Sequence, residues 1–401
     1  MTENRRKVVV TGIGILTPWG RGINLFWENL LAGKPVFKEV SVNTTPLPSK
    51  LGGEISEFNY EKSNPLFERG NKFCKLSTIA GEDAVKDAKL SPSKQDFSKI
   101  GIIGGTALGH PTIKQYGDMI DPIKSQYIYS HVAVGLICVR NKVKGPTFTI
   151  CSGEASGSYA VGWGLEFIRS GRCNIVIAGA SDVLSRTAYL HYASLEELSP
   201  IVEAEEKCVP FDKERNGLIL SEAAAYLILE EVEHAKARGA NIYGEIAGYG
   251  SSHDTDSSLG GIDPTGKDLE LAMEYALQDS LLDKIDIDAI YAAANGSKKL
   301  DAAEATSIKN LFRNRLKDVS VSSIKSIAGE SLSAGGILNI IAALFTINQD
   351  IIIPIVGFEK ADQGLDLNYV SNSPRRAEIK KVMCNSVSYG GNNVSLIVRG
   401  I

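Results

Sequence analysis

The chain has 401 residues, 43% hydrophobic and 22% charged, which is enough apolar material for a large core and for two domains or two halves. A net charge of −4 and a pI near 5.9 argue against an overall nucleic-acid-binding chain. The 6 cysteines lack CxxC or metal-type spacing, which fits a reducing cytoplasm better than a disulfide scaffold or a metal centre.

The first segment, MTENRRKVVVTGIGILTPWG, has the basic start and apolar run of a signal peptide. Its Gly and Pro punctuation and the β-branched Val8 to Val10 predict a buried strand instead. A helical pattern over Asn24 to Leu31 follows, then a second apolar strand over Gly101 to Gly105. Pro146 to Ile150 reads as a third strand. It runs through a small-residue turn into a helix over Ser156 to Arg169, where Tyr159, Trp163 and Phe167 recur every four positions. Asn174 to Ala178 is the next strand. This alternation predicts an α/β fold with buried central strands. The softest boundary is the polar, Gly/Ser-rich GYGSSHDTDSSLGG, which divides the chain into 1–247 and 248–401. No apolar run approaches the roughly 18 residues needed to span a membrane.

The stretch FTICSGEASGSYAVGWGLEFI is built as a strand–turn–helix elbow. Such an elbow presents one side chain at a helix N-terminus, where orphan amides and the helix dipole favour negative charge. The residue at that place is Glu154. The second half repeats the pattern in VSVSSIKSIAGESLSAGGILNIIAAL: Gly329-Glu330 matches Gly153-Glu154, and a helix over Leu332 to Leu344 matches Ser156 to Ile168. So long a period implies two duplicated halves in one body rather than a solenoid. If the halves face each other across a pseudo-twofold axis, both elbows converge on one pocket.

Five segments carry a family resemblance across nearly the whole chain: VVVTGIGILTPWG, GPTFTICSGEASGS, VPFDKERNGLILSEAAAYLILEE, SSIKSIAGESLSAGG and CNSVSYGGNNVSLIV. Together they resemble the β-ketoacyl synthases. The resemblance implies an α/β, thiolase-like fold of two duplicated halves in a five-layered α-β-α-β-α arrangement. It also implies a cysteine nucleophile and two histidines, which decarboxylate a malonyl thioester and condense the carbanion with an enzyme-bound acyl chain. Carried onto this sequence, the cysteine falls on Glu154, the first histidine on Asn295 and the second on Glu330. A carboxylate attacking a thioester would have to form a much less stable mixed anhydride. Asn295 cannot titrate, and ionised Glu330 can only accept hydrogen bonds. The motif lysine stays as Lys325, but its usual acidic partner is replaced by Asn339, and the family's Gly-Phe-Gly-Gly gate becomes Ser388-Tyr389-Gly390-Gly391.

A ketosynthase scaffold without its reaction centre is similar to the chain length factor of type II polyketide synthases. The resemblance then implies a non-catalytic subunit, paired as a heterodimer with an active ketosynthase and working with a phosphopantetheinylated acyl carrier protein. No other cofactor, metal, nucleic acid or membrane is implied, and the compartment expected is the cytoplasm. The tunnel segment corresponds to GGTALGHPTIKQYGDMI, with Leu108, His110, Thr112 and Tyr116, and the pairing strand carries Phe148 and Ile150. The alternative readings are a malonyl-acyl-carrier-protein decarboxylase using Glu154 with Asn295, which would supply acetyl starter units, and a purely structural partner.

Plainer readings stand beside these. Glu154 alone is a helix-end charge worth about 0.3–1 kcal/mol. Cys151, as a displaced nucleophile, falls at a strand end where burial is expected to keep it inert. His110 sits in a Gly-His-Pro turn, Lys298 and Lys299 read as a solvated pair, and Gly390 and Gly391 as a tight backbone approach. The duplication further predicts a hydrogen-bonded polar plug of Glu154, Asn295, Lys325 and Glu330, with the lysine between two carboxylates.

Overall fold

The structure is a computed structural model that describes residues 5–56, 58, 70–90, 96–109, 127, 129–200, 205–255 and 261–401. The first half supplies β1 (Val8–Thr17), α1 (Lys72–Asp87), β2 (Ile100–Gly105), α2 (His131–Asn141), β3 (Thr147–Ile150), α3 (Ser156–Arg169), β4 (Ile175–Asp182) and β5 (Ala223–Glu231). The second half supplies β6 (Gly244–His253), α4 (Lys267–Ser280), β7 (Ala289–Tyr291), α5 (Lys298–Phe312), β8 (Ser320–Ser322), α6 (Gly335–Gln349), β9 (Lys381–Val387) and β10 (Asn392–Arg399). The same alternation of strand and helix therefore runs twice.

The pairing proves the duplication. In the first half the strand order is β3-β2-β4-β5-β1, and in the second it is β8-β7-β9-β10-β6. In both, the second strand runs parallel to its two neighbours and the last two pairings are antiparallel. The two sections join through a short pairing of β1 with β6, Val9 opposite Glu245 and Val10 opposite Gly244. Helices α1 and α2 cover the outside of the first section, α4 and α5 the outside of the second, and α3 and α6 pack between them. This is the expected five-layered arrangement.

Strands covered on both faces have no reason to alternate, and β1 and β4 are buried at every position. The central helices touch through glycines in their first turns. A Cβ on Gly157 would lie 2.3 Å from the carbonyl oxygen of Ser333, and one on Gly336 2.1 Å from Oγ of Ser158. Only residues without a side chain allow the two elbows so close together.

Three expectations are adjusted. The division between 247 and 248 cuts β6, which pairs with β10 as part of the second half. The second elbow helix opens with a 3-10 turn over Leu332–Ala334, and α6 proper starts at Gly335. Leu332–Gln349 forms an 18-residue helical segment apolar enough to cross a membrane by length and composition, contrary to the sequence reading; 78% of it is buried inside the protein, so it is a core helix.

Candidate functional site

Strand β3 ends at Ile150, Gly153 turns the chain with φ of 58°, and α3 starts at Ser156. The positive φ and the approach of Ser388 Oγ leave no room for a Cβ at 153. Ser156 fixes the turn: its Oγ donates to the Gly153 and Thr106 carbonyls and accepts from the Ser152 amide. Glu154 is thereby aimed inward. It is only 7% exposed and lines a cavity of about 480 Å³ together with Leu108, Cys151, His191, Leu195 and Tyr389.

The Glu154 carboxyl accepts a hydrogen bond from the Tyr192 hydroxyl. Burial pushes the Glu154 carboxyl above its ordinary range, and the nearby charge of Glu330 adds to that; the hydrogen bonds from Tyr192 and Ser388 oppose it. The Tyr192 phenol is held neutral by burial and by the same carboxylates. Glu154 thus serves as an acceptor inside the protein rather than as a solvated charge on a helix end.

Across the twofold arrangement, Glu330 is the hub of a second group. Its Oε2 accepts from Lys325 Nζ at 2.7 Å and from Asn295 Nδ2 at 2.9 Å, while Oε1 accepts from the Leu332 amide at 3.0 Å. Lys325 Nζ also donates to the Ala293 carbonyl at 2.6 Å, and the Asn295 side-chain oxygen accepts from the Ser297 amide. All three side chains are buried. The expected plug is therefore present in three of its four members. Lys325 pairs with Glu330, which replaces its expected acidic partner; Asn339 instead donates to the Ala292 carbonyl. The correction concerns Glu154, which bonds Tyr192 and Ser388 rather than the lysine. A narrow recess lined by Glu154, Lys325, Gly335 and Asn339 runs between the two groups.

Tyr389, at the gate position, is 3% exposed and lies between them. Its ring meets Tyr192 edge-on at 5.7 Å, and its hydroxyl donates to Glu197 Oε2 at 3.3 Å. Glu197 in turn faces Lys299 Nζ at 3.5 Å, while Lys298 and Lys299 are both exposed, as the sequence reading expects.

The other predicted residues divide. Leu108 borders the cavity. Phe148 is 48% exposed and Ile150 half-buried on β3, the outermost strand on that side of the sheet among the described residues. His110, Thr112 and Tyr116 lie outside the described residues. Cys151 is exposed at the cavity wall rather than buried, and partial burial together with Asp182 pushes its thiol above the usual range. All 6 cysteines are free.

Sequence reasoning missed Tyr192, Glu197 and Asp182. Asp182, fully buried at the end of β4, accepts from Thr106 Oγ1, from the Ala107 and Leu108 amides, and from Ser333. It ties the Leu108 loop to the second elbow. An acid at the C-terminal end of a buried strand was a readable signal, because ligand clefts of α/β sheets open there; Tyr192 and Glu197 gave none.

Two family descriptions match: Beta-ketoacyl synthase, N-terminal domain, over residues 5–235, and its C-terminal domain over residues 243–359. The chain is 29% identical to a 3-oxoacyl-[acyl-carrier-protein] synthase 2 of Staphylococcus aureus, covering 100% of this chain and 99% of that protein. The fold is similar to the ishigamide ketosynthase/chain length factor, with TM-score 0.90, 26% identity, and 99% and 100% of the two chains covered. It is also similar to a chain in the complex of a type II PKS acyl-carrier protein with its ketosynthase bound to the hexaketide, with TM-score 0.89, 27% identity and 99% and 100% coverage.

Proposed function

The chain belongs to the β-ketoacyl synthase family, and from that premise we propose that it is a non-condensing subunit of the chain length factor type. On this reading it pairs with an active ketosynthase, shapes the tunnel for the growing chain, limits polyketide length and works beside a carrier protein in the cytoplasm. The observation that carries the reading is the state of the three positions assigned to nucleophile and imidazoles. Glu154, Asn295 and Glu330 are all buried and committed to internal hydrogen bonds. None offers a thiolate or an imidazole, so the two-step acyl transfer and condensation has no nucleophile and no imidazole pair. The similar ketosynthase/chain length factor and carrier-protein complexes support the partners.

No cofactor is assigned; the only prosthetic group in this scheme is the carrier protein's phosphopantetheine arm. The decarboxylase alternative needs an Asn295 N–H free to hold a thioester carbonyl, whereas its side-chain nitrogen donates to Glu330 and also bonds the Tyr389 hydroxyl, and its oxygen accepts from the Ser297 amide. The experiment is reconstitution with an intact ketosynthase subunit and malonyl carrier protein, with products read by mass spectrometry. Defined-length polyketide only when both subunits are present is the expected result. Acetyl carrier protein made from malonyl carrier protein by this chain alone would favour the decarboxylase, and identical products without it would reject both readings.

A further inference from the structure

The backbone amides of residues 107–109 converge, directly or through Thr106, on one buried side chain. Asp182 closes β4, is 1% exposed and does not line the cavity. Its Oδ1 accepts from Thr106 Oγ1 at 2.7 Å and from the Leu108 amide at 3.2 Å, and its Oδ2 accepts from the Ala107 amide at 2.9 Å. The Gly109 amide reaches the same group at one remove, by donating to Thr106 Oγ1 at 2.8 Å. Ala107 and Leu108, held in this way, are part of the cavity wall.

The other side of the carboxylate belongs to the second half. Ser333, in the 3-10 turn that opens the second elbow, donates both its amide, at 3.2 Å, and its hydroxyl to Oδ2. Ser333 has little freedom to move, since its carbonyl oxygen stands 2.3 Å from where Gly157 would carry a Cβ. Each of these groups donates, so only the ionised acid satisfies all of them. Burial pushes the Asp182 carboxyl above its ordinary range, and the hydrogen bonds from Ser333, Thr106, Ala107 and Leu108 pull it back. An amide in its place would turn N–H groups toward N–H groups and leave buried donors unmatched. The same charge acts on the cavity: Cys151 lines it, and Asp182 adds to the burial that keeps its thiol protonated.

We propose that Asp182 is a positioning residue for the cavity: it touches no ligand, but by fixing residues 107–109 against the second elbow it sets how much room the growing chain finds beside Leu108. That a growing chain fills this room rests on the chain-length reading; the hold on the wall does not. Removing the carboxylate frees the wall and unmasks the Cys151 thiol together, because the loop and the thiol answer to one charge.

The test compares three variants of the full chain: Asp182→Asn, which keeps the volume; Thr106→Val, which removes one donor; and Thr106→Ser, which retains it. On the isolated chain, labelling with iodoacetamide and peptide mass mapping read Cys151, with the buried Cys74 and Cys384 as reporters of general loosening. Asp182→Asn should label Cys151 about tenfold faster than wild type, since the thiolate fraction and the access to it both rise. Thr106→Val should move the rate in the same direction by less, and Thr106→Ser should stay at the wild-type rate. With an active ketosynthase present, Asp182→Asn and Thr106→Val should spread the product over neighbouring lengths, whereas Thr106→Ser keeps the wild-type length. Thr106→Val carries the test if Asp182→Asn fails to fold. An unchanged Cys151 rate in the folded variants, or Cys74 and Cys384 labelled in step with it, overturns the proposal. So does a wild-type product length in variants whose Cys151 is unmasked, where Leu108→Trp shortens the product. An unmasked Cys151 with a product that Leu108→Trp also leaves unchanged supports the hold on the wall and counts against the chain-length reading instead.

Discussion

Lys325 Nζ lies 2.7 Å from Glu330 Oε2, and both side chains are all but closed to solvent. A buried pair of this kind adds little over well-packed apolar side chains, but removing one member strands the other's charge. Lys325→Ala should therefore lower stability by about 3–5 kcal/mol. The double substitution Lys325→Met with Glu330→Gln should cost clearly less than the single one. Chemical denaturation of both variants measures the difference, and equal losses would show that the pair is not what holds this region.

Cys151 is the exposed thiol at the cavity, with its acidity weakened by partial burial and by Asp182. A thiol held in its protonated form is a poor nucleophile. Incubation with acyl and malonyl carrier proteins should leave the intact mass of the chain unchanged. A stable acyl adduct on Cys151 or Glu154 would restore an acyl-transfer role.

Glu154 gives a pH dependence. Its carboxyl titrates above the ordinary value of 4.5 in the folded chain, chiefly because burial penalises the charge. In the window above 4.5 the folded state holds more protons than the unfolded one, so stability falls as pH rises through the folded value. Glu154→Gln keeps an acceptor for the Tyr192 hydroxyl and removes the titration. The melting temperature of the variant should then fall less than that of wild type between pH 5 and pH 8, and parallel curves would place the titrating group elsewhere.

Leu108 borders the cavity, and its amide is fixed by Asp182 at 3.2 Å. Leu108→Trp narrows the cavity that Leu108 shares with Glu154 and Tyr192. With an active partner present, the product should be shorter by one or more ketide units at similar rates of malonyl consumption. Products of unchanged length across Leu108→Phe and Leu108→Trp would remove this chain from length control.

The elbows were legible because their signals are local. The helix over Ser156 to Arg169 is bounded as its four-residue aromatic repeat and preceding turn require. The absence of cysteine and histidine at Glu154, Asn295 and Glu330 needs only alignment of short motifs. Partner choice within the site was not legible in the same way. Glu154 was expected beside Lys325 because the elbows face one another, and they do, through Gly157 and Gly336. Yet Tyr192 reaches Glu154 from a helix 38 positions along the chain, Arg186–Ser194, whose sequence carries no mark of that contact.

The sequence by itself determined the duplicated α/β scaffold, the two glutamates at matching turns and the loss of the nucleophile, since strand burial, glycine turns and residue chemistry act over a few neighbouring positions. The tertiary structure decided that Tyr192 rather than the lysine holds Glu154, that Tyr389 packs against Tyr192 and bonds Glu197, and that Phe148 stands exposed on the outermost strand among the described residues. Those outcomes depend on side chains from separate elements meeting in a low-dielectric interior, 38 positions apart for Glu154 and Tyr192 and 192 for Glu197 and Tyr389. There distance and burial, rather than residue type, set which charges are satisfied.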